Sequence, residues 1–408
     1  MNRANGRLAS LTFVLLASPG AAHALPRFAA RTGADCQLCH VNPSGGGVRS
    51  RYGSHVFQQL SLPLELGSVP TEDEGAADWT FSGQVNEWLT LGGDLRAAYL
   101  FTAPERSPIA GEEPQHTSTF FLMQADLYAA ARFGPHLSLV FDLGAYSGFE
   151  AWVLISAASG PSDFDLQVKI GRFMPNFGIR EVNHDLYTRA GVGLGASSRD
   201  TGVELTGVAG PFSLSLSILN GTFDDLAFDT HGGDHRSFEK ALTGRLWARF
   251  GPDWLHLQLG GSINYSDNAD AANPLFSARI DPAVAAAGVD ELRAGGFAMI
   301  GLGRFTYLTD LVVVRDRFVS GSPQRLTGYA SYQELGAVIF QGLELMATLE
   351  FQDSDVSVAE DAVLRVGGAV EVFPFAFLDV RAMIRHAFGG ALSAGDVTDV
   401  LFFAHAAF

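Results

Sequence analysis

Residues 343–351 read Leu-Glu-Leu-Met-Ala-Thr-Leu-Glu-Phe. In an extended chain Glu344, Met346, Thr348 and Glu350 fall on one face, and Leu343, Leu345, Ala347, Leu349 and Phe351 on the other, because side chains alternate with period two. The same separation recurs at 243–250, where Arg245, Trp247 and Arg249 oppose Gly244, Leu246, Ala248 and Phe250. It recurs again at 377–388, where Asp379, Arg381 and Arg385 oppose Leu378, Val380, Ala382 and Ile384. Period two with one charged and one wholly apolar face suits a transmembrane β-barrel, lipid outside and water inside. A soluble sandwich alternates too, but its apolar face is buried in a core.

Outward from these windows, the chain from about Leu91 onward is a succession of alternating segments of roughly ten residues. The connections between them alternate in length. Tight turns are expected at Gly134-Pro135, Gly160-Pro161, Gly210-Pro211, Gly251-Pro252, near Leu308, at Gly342 and at Pro374. Longer polar loops fall at 102–117, 172–199, 220–239, 266–292, 319–325, 352–361 and 389–397, with one short exception near Ser147. Short turns on one side and long loops on the other are the habit of outer-membrane barrels, and about sixteen strands account for the pattern. An even count returns the C-terminus to the side of the N-terminus, so both termini are expected in the periplasm. The last strand, Val400 to Phe408, ends in a phenylalanine, which resembles the terminal signature of bacterial outer-membrane barrels.

Composition agrees. Hydrophobic residues make up 47% of the 408, yet they are dispersed by alternation. Beyond the N-terminus no window has the ~18 uninterrupted apolar residues of a membrane helix. The net charge of −17 at pH 7 excludes nucleic acid as a natural partner and favours cations. At the N-terminus, Arg3 and Arg7 precede the apolar run Leu8 to Leu16, and Ala22-His23-Ala24 forms a small-residue cleavage site. Residues 1–24 therefore read as a secretory signal peptide.

Cys36-Gln37-Leu38-Cys39-His40 holds both cysteines of the chain. C-x-x-C-H is the attachment site of a c-type haem: two thiols bond the vinyl groups and the adjacent histidine ligates iron. A disulfide, a redox dithiol or half a zinc site are the alternatives. A dithiol has no need of His40, and no second cysteine pair completes a zinc ribbon. One covalent haem is expected, in a segment over 25–60 too small to bury a core unaided. No methionine lies between Met1 and Met123, so the segment cannot supply a thioether to the iron. His55 is its other histidine, on a short helix expected over 49–59, and His40 with His55 would give bis-histidine ligation. The alternatives are an open sixth site or a barrel side chain such as Met174. Arg49 and Arg51 are candidates to pair with the haem propionates, or are solvated charges. Gly45-Gly46-Gly47 either lets backbone pass close to the ring or forms a flexible turn. Residues 61–90 read as a linker leading into the barrel over 91–408, with Trp79, Phe81 and Trp88 as interfacial anchors.

Arg31-Thr32-Gly33 ahead of the C-x-x-C-H, then Pro43, Arg49 and Tyr52-Gly53, all before a barrel of about sixteen strands, resembles the fused monohaem c-type cytochrome–porins of bacterial outer membranes. That family includes the outer-membrane Fe(II)-oxidising cytochromes. The resemblance implies an all-β protein that moves electrons across the outer membrane through a haem held in or at a porin-like barrel. The Gly45-Gly46-Gly47 run departs from those oxidases, which carry a more proline- and aromatic-rich stretch there. Gly171 to Arg180, followed by His184, Tyr187 and Arg189, also looks like a porin-type motif of related haem-bearing barrels.

Partners expected from this reading are outer-membrane lipid, a periplasmic electron carrier such as a cytochrome c, and extracellular metal ions, Fe(II) among them. The 172–199 loop either folds inward as an eyelet, bringing Arg172, Arg180, His184, Asp185 and Arg189 into the channel, or packs outside. Asp224, Asp225, Asp229, His231, Asp234 and His235 form an external cluster suited to divalent ions. Two other functions compete with the electron conduit. One is a diffusion porin whose haem segment serves as plug or sensor. The other is peroxide chemistry at an open sixth site, for which no distal acid–base pair is visible near Cys36.

Overall fold

The computed structural model describes residues 26–64, 83–107, 112–145, 148–157, 164–181, 183–195, 198–221, 240–269, 289–318, 325–389 and 395–408. The expected signal peptide, the acidic linker with Trp79 and Phe81, the Gly160-Pro161 turn and the Asp224–His235 cluster lie outside the described residues.

Sixteen strands are present among the described residues. The first eight are β1 (Leu89–Pro104), β2 (Thr117–Phe133), β3 (Leu137–Gly144), β4 (Gly148–Ser156), β5 (Phe164–Phe173), β6 (Asp200–Ala209), β7 (Phe212–Leu219) and β8 (Ala241–Phe250). The second eight are β9 (Leu255–Ala269), β10 (Val289–Leu302), β11 (Phe305–Phe318), β12 (Arg325–Phe340), β13 (Leu343–Asp353), β14 (Val363–Phe375), β15 (Leu378–Phe388) and β16 (Val397–Ala407). Each pairs antiparallel with its sequence neighbours, and β1 pairs with β16 from Asp94↔Ala407 to Pro104↔Val397. Closure leaves no strand edge, which is the condition for crossing a lipid core with sheet. Beyond β16, Phe408 and Gly93 exchange two backbone hydrogen bonds of 3.0 and 3.1 Å and finish the seam.

The alternation has the sense read from sequence. On β13, Glu344, Met346 and Glu350 are buried inside while Leu345 and Leu349 are exposed outside; on β15, Arg385 is buried while Val380 and Ile384 are exposed. Exposed Leu, Ile, Val and Phe on every flank are intelligible only if lipid is their solvent.

The turns depart from expectation in two places. The chain reverses at Gly303-Arg304 rather than near Leu308, which lies fully buried on the inner face of β11. Leu308 is inward and apolar because it packs with Ile179 and Leu186 from a loop inside the barrel, so polarity alternation misleads there. Pro374 lies within β14, and the reversal follows at Ala376-Phe377.

Leu311 is about half exposed on the outer face of β11. Leu311→Arg is expected to lower the unfolding free energy in phospholipid vesicles by about 2–4 kcal/mol, the cost of a cation on a lipid-facing strand near mid-bilayer. A urea titration with no change would place that face in water.

Candidate functional site

The N-terminal segment lies inside the barrel at its short-turn end. Its first helix, α1 (Pro26–Thr32), packs against β9, β10 and β11. Helices this short are not stable alone; α1 is fixed by what it buries. Arg27 is 1% exposed and is gripped by Glu344 at 2.8 Å and by Glu371. Arg31 meets the other oxygen of Glu344 at 2.7 Å, and Arg381 meets Glu371 at 2.6 Å. Beyond α1, Asp35 pairs with Arg249 of β8 at 2.7 Å. Burial pushes the Asp35 carboxyl up, and Arg249 and Arg245 pull against that rise. At the far end of the segment the Gln58 side-chain amide donates to the Ala407 carbonyl at 2.8 Å and the Leu64 amide to Phe373 at 2.9 Å. The lumen charges legible in the sequence are thus the attachment points of the segment.

Cys36–Cys39 form one helical turn, α2, closed by a 2.9 Å bond from the His40 amide to the Cys36 carbonyl. The chain then makes a small hairpin. The Val41 amide donates to Val48 at 3.0 Å and the Ser50 amide to Cys39 at 2.8 Å, placing His40 opposite Arg49. Val41 and Val48 pack against the wall on Tyr128, Val140, Trp152 and Phe173. By alternation His40 and Arg49 face the other way, into the lumen. At the hairpin's tip, Asn42 Oδ1 accepts from the Ser44 hydroxyl at 2.9 Å and its amide at 3.2 Å. Gly45, Gly46 and Gly47 follow with φ of +86°, +76° and +65°. Three successive left-handed residues are accessible at no steric cost only to glycine. A β-carbon at Gly45 would also stand 3.3 Å from the Cys36 sulfur.

A π-helical turn, Gly53–Phe57, continues into α3 (Gln58–Ser61). Gly53 lies against Cys39, where a β-carbon would come within 2.3 Å of the Cys39 carbonyl oxygen. Its buried face is therefore Gly53, Ser54, Phe57 and Gln58, with Phe57 joining Phe28, Phe373 and Cys39 in one cluster. Cys36 and Cys39 are not joined in a disulfide. Burial pushes the Cys39 thiol up to about 12, with Cys36 adding to the rise, and burial also raises Cys36. Neutral thiols are poor participants in disulfide exchange.

The second body inside the barrel is the loop between β5 and β6. Its Gly178 amide donates to Ser262 at 2.9 Å, Ile179 to Asp310 at 3.2 Å and Tyr187 to Glu350 at 3.2 Å. Asp185 is held by Arg385 at 2.7 Å and Arg365 at 3.2 Å, and Arg293 donates to the Val192 carbonyl at 2.8 Å. Phe177, Val192 and Leu194 cover an apolar patch of Val289, Val312, Val314 and Leu326 on the inner wall. The eyelet alternative is the one the geometry adopts.

Between segment and loop lies a cavity with about 220 Å³ open to the centres of water-sized molecules. Cys36, His40, Gly45–Gly47 and Arg49 line it from below; Met174, Arg180, His184 and Arg189 line it from the loop. Burial, with Arg96 adding, holds His184 below the ordinary histidine range. On the wall, His405 reaches Asp94 and Asp379 at 2.7 Å each.

Of the residues singled out in sequence, the structure brings Cys36, His40 and Arg49 to this cavity. It sets Cys39 among Phe28, Phe57 and Phe373, which line it. Arg51 and His55 are exposed and do not line it. His55 is turned away because Gly53 and Phe57 claim the inward face of the π-helical turn, so the expected His40–His55 pairing does not arise from this geometry. Arg172 lies over the Phe149 ring at 5.5 Å rather than in the channel, and Asp185 serves as a latch. Arg27 was missed by the sequence reading; its partners lie 317 and 344 residues away, and no local signal marks it.

No family model and no curated protein matches the chain. Solved structures do match in fold. An anion-selective porin from Comamonas acidovorans is similar at 13% identity and a TM-score of 0.55, over 78% of this chain and 99% of that one. OmpT of Vibrio cholerae, outer-membrane expressed, is similar at 13% identity and a TM-score of 0.50, over 78% of this chain and 97% of that one. Its loop L8 deletion mutant gives 13% identity and 0.52, over 78% and 99%.

Removing Arg27 leaves Glu344 and Glu371 buried with one cation each. Arg27→Ala is expected to weaken attachment of the segment by about 3 kcal/mol, the low end for a broken buried pair. In the folded barrel, residues 26–64 should then be cut faster by protease added from the short-turn side. Unchanged protection would mean that the Arg27 cluster is not the anchor. By its strand count, closure and inner loop, the chain has the fold of a sixteen-stranded porin-like barrel.

Proposed function

We propose that this protein is an electron conduit of the bacterial outer membrane, linking an external donor or acceptor to a periplasmic carrier, with one covalent haem c as its resident cofactor. The observation that carries the reading is that Cys36 and His40 of the C-x-x-C-H line a cavity inside the barrel, between the segment and the inward loop. The donor set fits: two thiols three residues apart, a histidine next to the second, and no competing metal cluster among the described residues. Cys36 and Cys39 would attach the porphyrin and His40 would supply the proximal nitrogen. Such a group supplies one-electron iron chemistry.

The protein's own residues would do the rest. Phe28, Phe57 and Phe373 give the apolar wall a porphyrin face requires. Arg49, opposite His40 on the hairpin's lumen face, would pair with a propionate. The segment and the loop, each tied to the wall by ion pairs, keep bulk water and ions from running straight through. Leu38, Val56 and Leu60 are exposed on the segment, outside the cavity. Exposed apolar side chains with Arg51 and His55 nearby in the chain suit the small, transient interface of a periplasmic redox carrier. A bacterial outer-membrane location follows from the exposed apolar belt and from the likeness to porins.

The rival is a diffusion porin with the segment as a plug. It is favoured by the ion pairs Arg27–Glu344 and Asp35–Arg249 among the anchors, whose partners water can take over on release. Proteoliposomes separate the two. With an electron acceptor trapped inside and a membrane-impermeant reductant outside, the haem-matured protein is expected to reduce the acceptor while conducting no ions, and Cys36→Ala/Cys39→Ala to abolish reduction. Porin-sized ion conductance from the wild type, without reduction of the trapped acceptor, would overturn the conduit in favour of diffusion.

A further inference from the structure

With His55 turned away, the segment would offer a haem iron no imidazole or thioether besides His40. Besides His40, the imidazole and thioether side chains that line the cavity are His184, His405, Met123, Met174 and Met299. Four of these five are already engaged. His405 spends both ring nitrogens on Asp94 and Asp379. The Met174 sulfur accepts from Arg189 at 3.5 Å. Met299 is buried in the cluster of Ala30, Ile179 and Trp247, and Met123 packs on the cluster around Met346 and Phe403. His184 hydrogen-bonds to no described residue, although it stands inside the barrel on a loop otherwise rich in anchors. Its neighbour Asp185 is pinned by Arg365 and Arg385, which fixes the backbone at 184 and turns the imidazole toward the cavity.

Resting on the haem reading above, we infer that His184 of the inward loop is the second axial ligand, so that the cofactor is held between the N-terminal segment and the constriction loop. The two bodies inside the barrel would then be joined through the iron as well as to the wall. His184 is a metal-ligating position within the cofactor site, and its imidazole would keep the potential below that of a histidine–methionine pair.

The test is the spin state of the full, haem-matured chain in detergent, with covalent attachment assayed separately on denatured protein. Wild type should be low-spin in the ferric form and lack the near-infrared band of thioether ligation. His184→Ala should become high-spin with the haem still covalently bound, bind carbon monoxide when reduced, and return to low-spin on adding imidazole. His184→Met should stay low-spin, acquire the thioether band and rise in potential, which covers the case where the alanine variant folds poorly. His55→Ala and Met174→Leu should leave the spectrum unchanged. A low-spin His184→Ala, a high-spin wild type, or loss of the low-spin form in His55→Ala or Met174→Leu would overturn the assignment while leaving the haem in place. Absence of covalent haem from the wild type would overturn the underlying reading and this inference with it.

Discussion

A charge on the inner face of a lipid-enclosed barrel must meet water or an opposite charge, and in this protein it meets the chain's own interior segments. Glu344 and Glu371 receive Arg27 and Arg31; Arg249 receives Asp35; Arg365 and Arg385 receive Asp185; Arg293 receives a loop carbonyl. Where both partners are buried, as in Arg27 with Glu371, breaking the pair costs more than the intact pair contributes. The alternating strands thus do two jobs. Their outer faces select lipid, and their inner faces carry the charges to which segment and loop attach.

That arrangement produces the cavity. Had the segment docked elsewhere, Cys36 and His40 would face water, and a haem on a stretch of some forty residues would have little protein around it. Docked at the short-turn mouth, the segment needs no core of its own. It borrows Phe373 and the β2–β5 wall, and the loop closes over from the other side. The lumen of this sixteen-stranded porin-like barrel is therefore occupied by the segment and the loop.

Much of this was legible in the residues. The 343–351 window specified strand, face and lumen charge, and the C-x-x-C-H specified the chemistry expected of the segment. What escaped the sequence has physical causes. Leu308, inward yet apolar, defeats a rule that equates inside with polar, because a loop packs there. His55 looked like a ligand by elimination, but Gly53 against the Cys39 carbonyl and Phe57 in the apolar cluster rotate it outward. Arg27 sits in a short helix with no amphipathic signal, and its partners are at the other end of the chain. The inward course of the 172–199 loop was one of two alternatives; what decides it is long-range, Phe177, Val192 and Leu194 meeting Val312 and Val314 of the wall.

The measurement that bears most directly on this account is a density map of the haem-matured protein in a lipid nanodisc. The account predicts planar density continuous with Cys36 and Cys39, within the lumen between the 26–64 segment and the β5–β6 loop. A segment lying outside the barrel mouth, or a lumen holding the segment with no density joined to the two sulfurs, would contradict it.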